Sequence, residues 1–433
     1  RVIQAIGAGG ILPIATTVIG QSFPEEKRGT ALGLVGMVYG VATIIGPTLG
    51  SALLNVFGLE NWGVIFLINV PIALAILVFS KFIPETSKPS RAPIDLFGAI
   101  LLAGFVGSLM YALTNLNFFD FISTLTSLSV WPFLLIAALV LPFLIRRELK
   151  AKDPIINLRL FSEKQMVFTL AIAFFTGVCL MGMVFVPQFA ENTLRIPAGN
   201  GGYLVTLLAV FSGFAAPISG KLLDKKGGAF VLRIGFLCSI VGTLILAFFA
   251  SKSLEWFQVV LGLAFMGVGI GFTMGAPLNY LVLNRASREN GASALATMSL
   301  IRSIGVAISP NIMIGFIVNA GGNVTKNITA AIMPKGMSFS TDGASVSQDI
   351  LSKLQSADVT NIVDRLREFL GAVVPANAKA YVMPAIEQSS ETIMTVFQKT
   401  INEGYAQMFL MTGIISVLGF VLTLFIEKRK VLS

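Results

Sequence analysis

The sequence predicts an all-α integral membrane protein, and three observations predict it. Of 433 residues, 55% are hydrophobic and only 12% are charged, about half the charge of an ordinary soluble domain. Eleven apolar runs, at roughly 2–22, 30–57, 63–83, 95–115, 125–145, 166–190, 202–222, 229–250, 256–283, 291–319 and 405–426, can each cross ~30 Å of hydrocarbon as a helix. The connections between them alternate in charge. One set carries Lys27 and Arg28, Lys81, Lys88 and Arg91, then Arg146, Arg147, Lys150, Lys152, Arg159 and Lys164. It continues with Lys221, Lys225, Lys226 and Arg233, then Arg285 and Arg288, and ends with Lys428, Arg429 and Lys430. The short loops of the other set hold only Arg195 and Lys252. Basic residues stay on the cytoplasmic side, so the first set and the C-terminus are expected there. Trp62, Trp131 and Trp256 then fall near the outer starts of their helices, as interfacial anchors should.

The run 30–57 organises the rest. Wound as a helix, Gly33, Gly36, Gly40, Thr43, Pro47 and Gly50 lie three or four apart and stack on one face. That face lets a second helix approach backbone to backbone, and Pro47 predicts a bend. Plain packing is the alternative for such a face. The pattern Gly33-x8-Ala42-x3-Gly46-Pro47-x2-Gly50-Ser51 resembles the antiporter motif on the fifth helix of major facilitator superfamily exporters. Ala42 and Ser51 stand where that motif has Gly. The resemblance implies a helix that packs on the opposite half, seals the outward end of the pathway and marks export rather than uptake.

Two further stretches carry the same resemblance. The start, Arg1-x-x-Gln4-Ala5-x-Gly7-Ala8, is similar to the family's fourth-helix motif, with Ala5 for a Gly. Gly220-Lys-Leu-Leu-Asp224-Lys225-Lys-Gly227 resembles the second-half copy of its cytoplasmic loop motif, with lysines for arginines. Asp224 sits just before a helix, where a carboxylate can cap amides and face basic neighbours; a plain basic turn is the alternative. The branch it resembles is the fourteen-helix drug:proton antiporters. That implies residues 1–90 as the remainder of an N-terminal bundle and 91–150 as a central two-helix linker pair. Residues 151–433 would be the C-terminal bundle. Arg1 would fall on the outer side at the fourth helix, so the first three helices are expected to be missing, with their acids. The fragment alone is expected not to transport.

Few groups within the spans can carry chemistry. Arg302 lies midway along its run, and a cation at that depth costs at least ~2.5 kcal/mol, so it should face protein or a wet cavity. It either locks helices by bonding carbonyls or touches substrate. By resemblance Arg1 would tune the protonation of an acid in the pathway. No Asp or Glu sits centrally in a run; Glu191 is at the outer end of one and Asp95 at the cytoplasmic start of another. Gln188, Asn279, Tyr280 and Asn311 are polar groups that could meet substrate, and Met181 and Phe214, among other Met and Phe residues, offer adaptable apolar surface. Simple packing is the competing reading for each. Gly267, Gly271 and Gly275, spaced by four, mark another close helix contact.

The long connection from about 320 to 404 is expected outside. Apolar residues recur at helical spacing over Ile350–Leu370 and again over Val382–Ile401, with Pro375 between them, which predicts a helical hairpin over 345–402. Asn323-Val-Thr325 and Asn327-Ile-Thr329 are glycosylation sequons, relevant only in a eukaryotic host.

Several functions are excluded or disfavoured. With no His, imidazole catalysis and most metal sites are gone. Cys179 and Cys238 lie in apolar runs and read as core thiols. The net charge of +9 is placed as membrane topology, not as a nucleic-acid surface. No Walker lysine pattern appears, and no paired carboxylates or activated nucleophile mark an enzyme. The expectation is a monomeric exporter of small hydrophobic or cationic compounds across the cytoplasmic membrane. It would work by alternating access, driven by the proton gradient without a cofactor. Rivals are export of an endogenous metabolite, peptide or lipid, or a receptor acting through the outer hairpin.

Overall fold

A computed structural model describes residues 2–24, 27–28, 30–35, 38, 42, 46, 49–50, 53, 56–58, 61, 63–81, 95–151, 154–196, 201–253, 255–286, 290–332 and 390–427. Seven described helices are long and apolar enough to cross a membrane, with shorter apolar helices at Ile3–Thr16 and Val64–Phe79. The N-terminal part contributes α1 (Val2–Gly9), α2 (Ile11–Ser22), the helical residues 30–35 and α3 (Asn69–Ser80). A hairpin follows, α4 (Leu96–Asn115) and α5 (Trp131–Lys150). The C-terminal bundle comprises α6 (Lys164–Met181), α7 (Val186–Asn192), α8 (Gly202–Lys226), α9 (Gly228–Ile245), α10 (Trp256–Met274), α11 (Ala276–Arg285), α12 (Gly291–Ile332) and α13 (Ser390–Leu424).

The outward faces are apolar. Leu74, Leu77 and Phe79 on α3, Phe97 and Ile100 on α4, and Leu139 and Phe143 on α5 are all exposed. Exposed apolar area on this scale is what a lipid-facing surface requires. Inside the C-terminal bundle, Phe189, Phe236, Tyr405 and Phe409 are fully buried in one core. Phe189 meets Tyr405 and Phe409 edge-on at centroid distances of 5.6 and 5.1 Å, a favourable geometry for ring quadrupoles.

Small residues set the helix spacing. A Cβ added at Gly177 would fall on the Arg302 carbonyl, and one at Gly305 on that of Phe174, so α6 and α12 touch backbone to backbone. Gly267 and Gly271 approach α8 at the carbonyls of Leu208 and Ser212. Gly275, the third of that series, instead ends α10, and Pro277 begins the next helix. The run 166–190 is likewise broken, through a tight 3-10 turn at Gly182–Phe185 ahead of Pro187.

The connection expected at 320–404 differs from a separate hairpin at both ends. α12 continues unbroken to Ile332, so both sequons lie on or against a helix, and Asn327 Nδ2 donates to Thr400 Oγ1 at 3.1 Å. α13 starts at Ser390, so Ile393, Phe397 and Ile401 form the first turns of the last spanning helix. Gly404 causes no break there. A Cβ on it would come within 2.7 Å of Ala320 Cβ, so this glycine serves close approach. The rest of the expected hairpin, residues 345–389, lies outside the described residues.

Candidate functional site

One contact between the N-terminal helices and the C-terminal bundle lies where basic residues gather, beside Lys225 and Lys226. Asp224, at the end of α8, reaches across to Thr30, which lies in a helical stretch shortly after the helical residues Lys27 and Arg28. The Thr30 amide donates to Asp224 Oδ2 at 3.0 Å and the Thr30 hydroxyl donates to the same oxygen at 2.6 Å. Hydrogen bonds to an ionised carboxylate are stronger than those between neutral groups. One turn on, Gly33 lies against α8: a Cβ there would stand 3.1 Å from both the Ala216 carbonyl and Gly220 Cα. Leu32, 2% exposed, completes the contact in a cluster with Ala215, Leu223, Phe272 and Ala276.

Local sequence explains why α8 presents Asp224 there. Gly227 ends the helix at φ 85°, a conformation that costs glycine little, and its amide closes on the Leu223 carbonyl at 2.8 Å. Gly220 leaves the surface that Gly33 meets, while Lys225 points to solvent. Gly33 and Gly220, from two stretches singled out in the sequence, thus meet in one contact. Further along, Ala42 and Gly46 are helical and exposed, and Cβ atoms at Gly46 or Gly50 would meet nothing within 4 Å. Pro47 and Ser51 lie outside the described residues, as does Arg1. Gln4 and Gly7 are exposed on α1.

The other sequence-selected residues disperse. Tyr280 packs against the Leu32 cluster, and Asn279 donates to its own helix at the Gly275 carbonyl, 3.3 Å away. Gln188 is exposed on α7, and Phe214 is 74% exposed on α8. Met181 ends α6 at the break. Glu191 is half-buried and accepts from the Gly201 amide at 3.4 Å. Arg302 is half-buried at the α6–α12 contact, its backbone against Gly177. Asn311 holds the hairpin: its amide donates to the Leu113 carbonyl at 3.1 Å and to the Thr114 carbonyl. Phe119 covers Gly315 there and meets Phe316 edge-on at 4.9 Å.

Sequence reasoning missed the polar lacework at the basic end. Arg285 pairs with Glu163 at 3.3 Å and donates to Gln165 Oε1 and the Glu427 carbonyl, tying α11 to both ends of the bundle. On the hairpin, Arg147 pairs with Asp95 at 2.8 Å. Its hydrogen bond, then that of the Gly98 amide, holds the Asp95 carboxyl below the usual carboxylate range. Beside it Glu148, 4% exposed, accepts from the Ile156 amide at 3.1 Å, and its other oxygen has no partner. Burial pushes that carboxyl up. Among the described residues no cluster of three or more His, Cys, Asp or Glu could hold a metal.

The family model for the Major Facilitator Superfamily matches residues 1–310. The chain belongs to the major facilitator superfamily. It is therefore a multi-pass membrane transporter and not an enzyme. It is similar to the uncharacterized MFS-type transporter YfiU of Bacillus subtilis, at 31% identity over 96% of this chain and 76% of that protein. Multidrug resistance protein 3 of Bacillus subtilis is 27% identical over 87% and 74%. Riboflavin transporter RibZ of Clostridioides difficile is 26% identical over 71% and 65%.

Proposed function

We propose that this transporter exports amphipathic, cationic compounds across the cell membrane in exchange for protons, and that Asp224 and Thr30 form its cytoplasmic latch. The latch is the observation that carries the reading. A charge-assisted contact between two helix bundles, flanked by a glycine-on-glycine approach, closes one end of the interface and can part without unfolding either bundle. The basic end is assigned to the cytoplasm from its lysines and arginines. The described part of the small-residue face beyond Ala42 then belongs to the end that seals when the latch opens.

The similarity to Multidrug resistance protein 3 supports drug export, and the apolar α8 surface around Phe214 suits varied hydrophobic cations. Glu191 is the first acid of this chain to test as a proton carrier. The test is ethidium accumulation in drug-sensitive bacteria expressing the full-length transporter. Accumulation below that of empty cells, restored by a protonophore, is expected; equal accumulation at good membrane expression overturns the multidrug reading. The similarity to RibZ favours a second reading, movement of an endogenous metabolite by the same latch. Cells that leave ethidium untouched yet move riboflavin would support it.

A further inference from the structure

The C-terminal bundle has a buried cavity that the latch does not use. It opens between α6, α9, α10 and α13, has a volume of about 10 Å³ and is too small for any drug. Its lining is unusual for the middle of a membrane bundle. Thr176, Ser239, Thr243, Thr273, Thr412 and Ser416 all face it, and each is at most 6% exposed.

The hydrogen bonds of these hydroxyls decide what fits. Thr176 donates to the Ala173 carbonyl at 2.7 Å, Thr243 to Ser239 at 2.8 Å and Thr273 to Gly269 at 2.9 Å. Thr412 donates to the Met408 carbonyl at 3.0 Å and Ser416 to that of Thr412 at 2.9 Å. Five donors are thus turned back into their own helices, and the oxygens bring acceptor lone pairs to one small space. An occupant must donate hydrogen bonds. No carboxylate lines the cavity, so a bare cation there would lack a counter-charge and be costly to bury. The Cys179 thiol is engaged with Ser416 Oγ at 3.4 Å, and a neutral donor with two hydrogens, which can also accept from the Ser239 hydroxyl, meets the remaining conditions.

We propose that this cavity is a site for one structural water that bridges the four helices at the centre of the C-terminal bundle. The volume is that of a single water, and the polar partners exceed the two to four that a buried water needs. Glycines hold the helices close around it: Gly413 leaves room for Thr243, whose Oγ1 lies 3.0 Å from where a Cβ would stand, and Gly269 leaves room for Ser239. The water would make the bundle one body and keep its hydroxyls in register while the latch opens and closes.

The test is a structure of the full-length transporter in lipid nanodiscs at a resolution that shows ordered water, with Thr412→Val beside the native protein. A single peak 2.7–3.2 Å from at least two of the hydroxyls is expected in the native protein and is lost in the variant. The variant's Tm is expected to fall by roughly 1–2 °C. Native Tm is also measured in sodium chloride against choline chloride, and equal values are expected. A cavity without a peak overturns the proposal. So does a peak ringed by five or more oxygens at about 2.4 Å with a sodium-dependent Tm, which would make the site one for an ion.

Discussion

Replacing Asp224 by Ala should open the latch without unfolding either half. The substitution removes one acceptor that receives two hydrogen bonds from Thr30, at 3.0 and 2.6 Å. Bonds to a charged group contribute about 1.5–3 kcal/mol each. Both land on one half-exposed oxygen, so the pair together is taken at about 1.5–3 kcal/mol rather than twice that. At 1.4 kcal/mol per tenfold, the closed population falls roughly 10- to 150-fold relative to the open one. The assay is electron-electron resonance between spin labels at Lys27 and Lys226, both exposed beside the contact. The native protein should give one short distance, and Asp224→Ala a clearly increased longer component. Asp224→Asn, which keeps an acceptor without the charge, should fall between. Identical distributions for native and Ala proteins would refute the reasoning, because the latch would then hold no free energy.

Gly33→Leu should act at the same contact by a different route, since even a Cβ stands 3.1 Å from Gly220 Cα; cysteine labelling at the basic end should rise while Tm of the bundle holds. Asn311→Ala removes the donor that meets the Leu113 and Thr114 carbonyls, so hydrogen exchange at the end of α4 should quicken, with a loss of about 0.5–1.5 kcal/mol in local stability. Glu148 has a raised carboxyl, so its cost to stability is absent below the ordinary value of 4.5, grows as the pH rises above it and is complete above its folded value. Glu148→Gln should therefore raise Tm at pH 8 and leave it unchanged at pH 4. Asp95 runs the opposite way: its lowered carboxyl adds stability above 3.8 that is lost as the pH falls through the folded value. Asp95→Asn should lower Tm at pH 7 and lose that effect in strong acid.

The spanning helices of the C-terminal bundle were legible because lipid leaves only helices as a solution to long apolar runs. Their interruptions were not all read. Gly275 and Pro277 break one run and Gly182–Phe185 another, because hydropathy does not report which glycine ends a helix and which lets a neighbour approach. Gly404 shows the reverse, a glycine inside a continuous helix that makes room for Ala320. The sequence marked Asp224 as a residue able to cap amides. It could not show that the amide belongs to Thr30, 194 residues away. Asn311 was legible as a polar group in a membrane helix but not as the clasp of the α4–α5 hairpin, since its partners are backbone carbonyls that carry no sequence signal. The hydroxyl-lined cavity was hidden for the same reason, because its members are far apart in the chain and individually ordinary.

The most direct test of the account is transport by the purified full-length protein in liposomes. A pH gradient is imposed, acid inside, and ethidium is supplied outside. With molecules inserted so that their basic end faces out, the account predicts gradient-driven ethidium uptake, proton exit in step with it, and a strong reduction of both in Asp224→Ala. Ethidium movement that ignores the gradient, or none from protein that still binds ethidium, would contradict it.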